Sequence, residues 1–296
     1  MPYITVGQEN SGPIELYFED HGEGQPVLLI HGWPLNGASW EKQTMALLQQ
    51  GYRVITYDRR GFGRSAKPVI GYDYDTFASD LRQVIEQLDL ENVVLVGFSM
   101  GTGEVTRYLG KYGSEKISKA VMIGVIPPYL LKTADNPTGV DQKVFDEIKE
   151  NLLKDRPAYM KQFLTNFYNF KKLEGKRVSE EALLASWNVA VQASYFAAVK
   201  CVDSWLTDFR ADLKAFDIPT LIMHGDADQI LPIKSSGEPL SKLLKNARYV
   251  EIKDGPHGVL VTHAEEINKE LLSFLGPAPK EFKKAQVLSE SRPQFQ

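Results

Sequence analysis

A serine flanked by glycines in the middle of the chain constrains the fold more than any other feature of the sequence. Residues 97–101 read Gly-Phe-Ser-Met-Gly, and they lie between the apolar residues 93–96 and a helix-prone stretch, residues 102–111. A strand that turns at once into a helix strains its turn residue, and side chains two residues to either side would collide, which explains the glycines. The pattern predicts that Ser99 is a nucleophile at the end of a strand; a structural Gly-Ser turn is the alternative.

The base that would activate this serine can be sought by elimination, because the chain has only five histidines. His21 lies in a polar stretch, and His31 and His224 each end an apolar run, so we expect these last two to hold neighbouring loops. Where a nucleophile lies on such a turn, the partners follow in the order Ser, Asp or Glu, His, which leaves His257 and His263. We assign the base to His257, in a loop after a strand-like stretch, and interpret His263, just inside the last amphipathic helix, as a surface or capping residue.

The acid that orients the base is expected after the next-to-last predicted strand, residues 221–224. The loop that follows contains two candidates, Asp226 and Asp228. An aspartate close to a strand end often stabilises the turn through its own side chain. Asp228 lies further along, where the loop turns back over the sheet edge, so we choose Asp228 and keep Asp226 as the alternative.

Backbone N–H groups are expected to stabilise the negative charge that develops on the substrate oxygen. One donor is the residue after the nucleophile, Met100, and the other belongs to the loop after the third strand, residues 31–34. Pro34 has no N–H, so Trp33 is the better candidate. The Trp33 ring can equally be part of the core, since only its backbone is needed here.

Four separated motifs stand out together in the sequence. They are His31-Gly-Trp-Pro-Leu35, Tyr57-Asp-Arg-Arg-Gly-Phe-Gly-Arg-Ser65, Gly97-Phe-Ser-Met-Gly101 and His224-Gly-Asp-Ala-Asp-Gln229. They resemble the motifs of the α/β-hydrolase family of cofactor-free haloperoxidases, also called perhydrolases, which includes related bacterial aryl esterases and a γ-lactamase. The resemblance covers roughly residues 3–276, and residues 101–104 and 188–190 are similar to the γ-lactamase members in particular.

The resemblance implies roles for residues that the spacing also singles out. In that family the positions of Ser99, Asp228 and His257 form the catalytic triad, and the backbones of Trp33 and Met100 form the oxyanion hole. The implied activity is hydrolysis of small esters through an acyl-enzyme, with a peracid formed when hydrogen peroxide replaces water. A γ-lactamase or amidase acting on small cyclic amides is the alternative, and a non-catalytic binding protein of the same fold is a second one.

Three further expectations come from the resemblance. Members that favour perhydrolysis tend to carry proline at the position of Pro34, whereas typical aryl esterases carry leucine, so Pro34 is a candidate for peroxide selectivity. Family members often form trimers or hexamers, which implies a homo-oligomer. Haloalkane dehalogenases and epoxide hydrolases share the fold but use an aspartate as nucleophile, and Ser99 argues against both.

Alternation of strand-like and helix-like stretches predicts the α/β class, with a mostly parallel sheet covered by helices. The resembling family's fold implies eight strands, of which seven can be located in the sequence. The alternation stops between residues 127 and 216, where four helix-like stretches follow one another and predict a helical cap after the sixth strand. Residues 1–126 and 217–276 are then the hydrolase core. Residues 277–296 are expected to be a flexible tail or, alternatively, a segment that docks on a neighbouring subunit. The strand-like stretches of the core are residues 14–19, which alternate as an edge strand does, and 27–30, 54–57, 93–96, 120–125, 221–224 and 249–252.

Composition and charge exclude several classes of partner. The formal net charge is −4 and no cluster of lysine and arginine stands out, so neither nucleic acid nor an anionic membrane is expected as a partner. We interpret the pair Arg59 and Arg60, beside a glycine-rich turn, as holding loops near the site in place.

Of the cap aromatics, one or two are expected to line an apolar acyl pocket; the candidates are Tyr129, Phe145, Phe163, Phe167, Tyr168, Trp187, Phe196 and Trp205.

The single cysteine, Cys201, excludes a disulfide within the chain and suggests a reducing, cytoplasmic location. It falls in a helix-like stretch, where a small buried residue is the expected role. The first ten residues do not read as a signal peptide, and no apolar run approaches membrane-spanning length. No cluster of His, Cys, Asp and Glu has the spacing of metal ligands, so neither a metal nor an organic cofactor is expected.

Overall fold

Eight strands form one sheet in the computed structural model, which describes residues 2–244 and 246–278. Their order across the sheet is β1-β2-β4-β3-β5-β6-β7-β8. β2 pairs antiparallel with β1 and with β4, and the remaining neighbours are parallel. The strands are β1 (Tyr3–Glu9), β2 (Gly12–His21), β3 (Pro26–Ile30), β4 (Arg53–Tyr57), β5 (Val93–Phe98), β6 (Ile117–Ile123), β7 (Thr220–Gly225) and β8 (Ala247–Ile252).

The central strands are short because they are buried on both faces. Every residue of β3, β5 and β7 is buried, and successive side chains enter two different apolar clusters, as Leu28 and Leu29 do on opposite faces of β3. Six helices cover the sheet; their numbers skip α4 to α7, which lie in an insertion between β6 and β7. The six are α1 (Glu41–Gln49), α2 (Tyr74–Gln87), α3 (Met100–Tyr112), α8 (Gly237–Leu243), α9 (Val259–Thr262) and α10 (Ala264–Leu275). Apolar residues of α2, α3 and α8 cover one face, and those of α1 and α10 the other.

Four helices inserted between β6 and β7 lie over the carboxyl ends of the strands. They are α4 (Gln142–Phe167), α5 (Phe170–Leu173), α6 (Glu180–Ala190) and α7 (Tyr195–Ser204), and we call them the cap. Helix α4 is broken at Asp155, whose φ of −155° and ψ of 87° are not helical, and Pro157 follows. The Asp155 carboxylate accepts a hydrogen bond from the Ala158 N–H (3.0 Å) and so begins the second half of α4. The eight-stranded, mostly parallel sheet with helices inserted after strand six, predicted from the sequence, is confirmed.

Two local expectations were wrong. Residues 14–19 were expected at a sheet edge, but β2 pairs on both sides, because β1, which was not located in the sequence, takes the edge. The last helix was expected to run through residues 262–275 with His263 inside it; instead it breaks at His263, which precedes α10 and is 2% exposed. His263 takes the N-cap position of α10 and is buried, so the capping interpretation fits its position and the surface interpretation does not.

Among the described helices no single one is long and apolar enough to cross a membrane; the bent pair α6 and α7 passes such a test by length and composition only. The predicted tail, residues 277–296, lies outside the described residues from residue 279 onward.

Candidate active site

The serine of the glycine-flanked motif lies where β5 passes directly into α3. Ser99 has a φ of 52°, a left-handed conformation that side chains rarely adopt. A Cβ on Gly97 would lie 2.6 Å from the Gly101 carbonyl oxygen, and a Cβ on Gly101 would collide with the Ile30 carbonyl oxygen. Gly97 therefore lets the turn close on itself, and Gly101 lets it pack against β3. The turn presents Ser99 at the carboxyl end of the sheet.

Ser99, His257 and Asp228 form one continuous line of hydrogen bonds. The Ser99 Oγ lies 2.8 Å from His257 Nε2, and His257 Nδ1 lies 2.6 Å from Asp228 Oδ2. The three residues come from loops after three different strands, β5, β8 and β7, and each is less than 10% exposed. The structure thus brings together the three residues predicted as nucleophile, base and acid.

The Asp228 carboxylate is held in its charged form. Its Oδ1 accepts hydrogen bonds from the backbone N–H groups of Ile230 and Leu231, both at 2.8 Å. Burial by itself raises the pKa of this carboxyl, but the adjacent His257 and His224 outweigh burial and hold the pKa well below its usual value. Asp226, the alternative acid, is exposed, and it is Asp228 that contacts the base.

The other histidines lie away from the serine. His21 is exposed at the end of β2, and His263 Nδ1 lies 2.9 Å from the Thr262 hydroxyl. His224 and His31 hold loops, as expected. His224 Nε2 lies 2.9 Å from the Leu231 carbonyl oxygen, and its Nδ1 accepts a hydrogen bond from a backbone N–H 3.2 Å away, so the Nε2 proton is directed at the carbonyl.

One contact of His224 was missed by sequence reasoning. Its Nε2 also lies 3.3 Å from Asp228 Oδ2, four residues further along the chain. The spacing of four residues was visible in the sequence, but across a loop such spacing predicts no contact. His224 therefore places a second imidazole beside the carboxylate that His257 contacts.

The predicted oxyanion donors belong to two segments that touch each other. The Gly32 carbonyl accepts a hydrogen bond from the Leu35 N–H (3.1 Å) in a tight turn that contains Trp33 and Pro34, whose mutual peptide bond is cis. A Cβ on Gly32 would lie 2.9 Å from Ser99 Cβ, so this turn passes directly against the nucleophile. Met100 is the first residue of α3, where helix N–H groups lack acceptors within the helix.

A cavity of about 280 Å³ opens above Ser99 between the core and the cap. Its wall is apolar, and its polar lining residues are exposed ones at the mouth. Of the aromatics considered from the sequence, three line it, and Tyr159 lines it as well although it was not considered. The apolar wall comprises Trp33, Ile126, Leu130, Val140, Val144, Phe145, Ile148, Tyr159, Phe163, Trp205, Ile230 and Leu231, and the mouth Glu147, Asn151, Gln162, Asn166 and Gln229.

Aromatic rings also enclose the base. The His257 ring lies 5.2 Å from the Phe98 ring and 5.1 Å from the Phe167 ring, centroid to centroid. Phe98 belongs to β5 and Phe167 to the cap, so core and cap together shield the imidazole from water. Within residues 2–244 and 246–278, no group of three or more His, Cys, Asp and Glu side chains is arranged to hold a metal ion.

Comparison with known proteins identifies relatives over nearly the whole length. A family model described as the alpha/beta hydrolase fold matches residues 25–264. The chain is 61% identical over 275 residues to a Synechocystis sp. protein provisionally named a non-heme chloroperoxidase, with 93% of this chain and 100% of the relative covered. It is 36% identical to a bifunctional esterase/perhydrolase of Acinetobacter calcoaceticus, covering 93% and 99% of the two chains. The crystal structure of a bromoperoxidase from Bacillus anthracis superposes with a TM-score of 0.89 at 49% identity, covering 92% and 98%.

Proposed function

The chain belongs to the α/β-hydrolase family, and we propose that this serine esterase and perhydrolase works through Ser99, His257 and Asp228. The observation that carries the proposal is the continuous line of hydrogen bonds from the Ser99 hydroxyl through the His257 ring to the Asp228 carboxylate. A hydroxyl in contact with an imidazole whose far nitrogen is held by a buried carboxylate is the arrangement that nucleophilic attack on an acyl group requires.

Acylation begins when the Ser99 oxygen attacks the ester carbonyl carbon. His257 Nε2 takes the hydroxyl proton and then gives it to the departing alcohol oxygen, while Asp228 stabilises the charge on the imidazole. The backbone N–H groups of Trp33 and Met100 stabilise the oxyanion, each contributing roughly 3 kcal/mol to the transition state. The alcohol leaves, and the acyl group remains bound to Ser99.

Deacylation determines which product the enzyme makes. Water, deprotonated by His257, attacks the acyl-enzyme and releases the carboxylic acid. Hydrogen peroxide in place of water gives the peracid, which transfers an oxygen atom to bromide or chloride and becomes the acid again. Hydrogen peroxide supplies the oxygen atom and both oxidising equivalents, and the protein supplies the acyl-enzyme, which accounts for halide oxidation by a hydrolase.

The substrates that fit are small uncharged esters. The cavity wall is apolar and the charged side chain among the lining residues, Glu147, lies at the exposed mouth. Burying a charge in such a wall costs several kcal/mol unless the charge is paired. Assembly into a trimer or hexamer and a cytoplasmic location remain proposals that rest on the resemblance and on the single cysteine; sedimentation of the purified protein tests the first.

Labelling with a fluorophosphonate tests the assignment directly. We expect one covalent adduct on Ser99, found by peptide mass spectrometry, together with loss of hydrolysis of a small acetate ester. The unlabelled enzyme should release acetic acid in water and peracetic acid when peroxide is added. An adduct on another residue, or undiminished hydrolysis by the Ser99→Ala variant, would contradict the proposal.

A further inference from the structure

A fully buried arginine joins the two segments that carry the proposed oxyanion donors. Arg59 follows β4 and has no exposed surface. Its Nε donates to Glu104 Oε2 (2.7 Å) and its Nη2 donates to the backbone carbonyl of His31 (2.9 Å). The Tyr57 hydroxyl donates to the other oxygen of Glu104. Since Glu104 lies on α3 five residues after Ser99, Arg59 bridges the loop after β3 and the helix that the nucleophile begins.

The same arginine sets the tautomer of the His31 ring. The Arg59 backbone N–H donates to His31 Nε2 (2.9 Å), which makes that nitrogen the acceptor. The proton therefore sits on Nδ1, which donates to the Gly32 carbonyl 2.9 Å away. Burial, and then the nearby Arg59 charge, lower the pKa of His31 well below its usual value, so the ring is neutral at pH 7.

The contact of this ring with Gly32 acts on the proposed oxyanion donor itself. The Gly32 carbonyl and the Trp33 N–H belong to one peptide unit, which is planar and trans, so the two groups point in opposite directions. A ring that holds the carbonyl on one side thereby aims the N–H on the other. The second donor, the Met100 N–H, lies on the helix that Glu104 anchors.

We propose that Arg59 is a positioning residue that fixes the separation of the two oxyanion donors. Its backbone N–H orients the His31 ring that aims the Trp33 N–H. Its side chain holds the His31 backbone carbonyl and, through Glu104, the start of α3. Holding the His31 carbonyl and the Glu104 carboxylate together requires a planar group whose N–H donors point in two directions. The arginine guanidinium is such a group, and the lysine ammonium is not. The inference rests on the proposed function, since it assumes that these N–H groups bind an oxyanion.

The next residue in the chain is a matched control. Arg60 is also buried, and it donates to both oxygens of the buried Asp80, at 2.6 and 2.7 Å. Asp80 lies on α2, and this pair has no hydrogen bond to the loop after β3 or to α3 among the described residues. Replacing either arginine by lysine disturbs a buried ion pair, but only Arg59 contacts the supports of the donors.

The test compares two inhibitors of one shape. A trifluoromethyl ketone accepts the Ser99 oxygen and forms a negatively charged oxygen in the oxyanion hole, whereas the corresponding alcohol fills the cavity without that charge. For Arg59→Lys we expect both kcat and affinity for the ketone to fall by about 10- to 100-fold, since loss of one donor costs roughly 100- to 1000-fold. KM and affinity for the alcohol should change by less than about twofold, the signature of an interaction made only in the transition state.

The outcomes separate the inference from the function on which it rests. A folded Arg59→Lys that keeps its affinity for the ketone, or that loses affinity for ketone and alcohol equally, overturns the inference, as does an equal effect of Arg60→Lys. If Arg59→Lys does not fold, the double variant Arg59→Gln/Glu104→Gln, which leaves no unpaired buried charge, should show the same selective loss. If Ser99→Ala binds the ketone as tightly as the unaltered enzyme, the proposed function fails, whatever Arg59 does.

Discussion

The carboxyl edge of the sheet and the cap enclose one cavity by opposite means. At the sheet edge the side chains of the proposed triad are polar, nearly fully buried and hydrogen-bonded to one another, and apolar residues such as Trp33 and Leu231 lie beside them. The cap contributes an apolar wall and leaves its polar lining residues exposed at the mouth. The core edge also rests on buried ion pairs, whereas the ion pairs of the cap helices, such as Lys149 with Asp203, lie on the surface.

This contrast implies that the core edge and the cap have different roles. Polar groups that must hold a proton or an oxyanion within a few tenths of an ångström need the rigid strand ends and the backbone on which they lie. An apolar wall can change shape without losing a hydrogen bond, and α4 contributes to the wall on both sides of its break at Asp155. We therefore expect substitutions at the core edge to remove the chemistry and substitutions in the cap to change its substrates.

The largest effect is expected at the core edge itself. Ser99→Ala, His257→Ala and Asp228→Ala should each lower kcat/KM for a small acetate ester by about three orders of magnitude or more, because each removes a member of a unit that acts together. Circular dichroism checks that the fold is retained. Asp226→Ala and His263→Ala are the controls and should stay near full activity; loss in His263→Ala alongside full activity in His257→Ala would overturn the assignment.

A tenfold effect on substrate preference is expected from the cap. Ile148 lines the cavity and Leu153, on the same half of α4, is 57% exposed. Ile148→Ala should raise kcat/KM for a bulky acyl ester relative to the acetate by about tenfold, the equivalent of 1.4 kcal/mol of altered packing. Leu153→Ala, the control, should leave the ratio unchanged. An equal fall for all substrates would show that the cap takes part in the chemistry.

The sequence predicted the sheet and the candidate triad for identifiable physical reasons. Strands buried on both faces are apolar runs, which made β3, β5 and β7 recognisable, and the order Ser, Asp, His follows from the order of the strand ends. β1 was missed because it is mostly exposed and carries little apolar pattern. The bridge from His31 through Arg59 to Glu104 was missed because Arg59 lies 28 positions from His31 and 45 from Glu104 in the sequence. Local sequence patterns do not predict contacts between residues so far apart.

Lowering the pH should lower the free energy of unfolding through His31. Its pKa is lowered in the folded state, first by burial and then by Arg59, so the unfolded chain binds the proton first as the pH falls below about 6.5. The free energy of unfolding should then fall with pH, by about 1 kcal/mol more between pH 7.5 and 5.5 than in His31→Asn. Urea unfolding at the two pH values measures this difference, in which the titration of other groups cancels. Equal losses in the two proteins would show that His31 is not a buried neutral base.

The smallest effect is expected on the choice between water and hydrogen peroxide as the nucleophile that cleaves the acyl-enzyme. Pro34 is buried in the turn beside the nucleophile, and its ring fixes its own φ near −65° and biases Trp33 away from helical conformation. It can thereby place the Trp33 carbonyl where it accepts a hydrogen bond from bound peroxide, which water would not need in order to attack. Pro34→Leu should lower the ratio of peracid formed to acid released from an acetate ester by about threefold at fixed peroxide, the effect of one hydrogen bond worth roughly 0.7 kcal/mol. Fluorophosphonate labelling of Ser99 should stay unchanged; if the ratio stays unchanged as well, Pro34 only stiffens the loop.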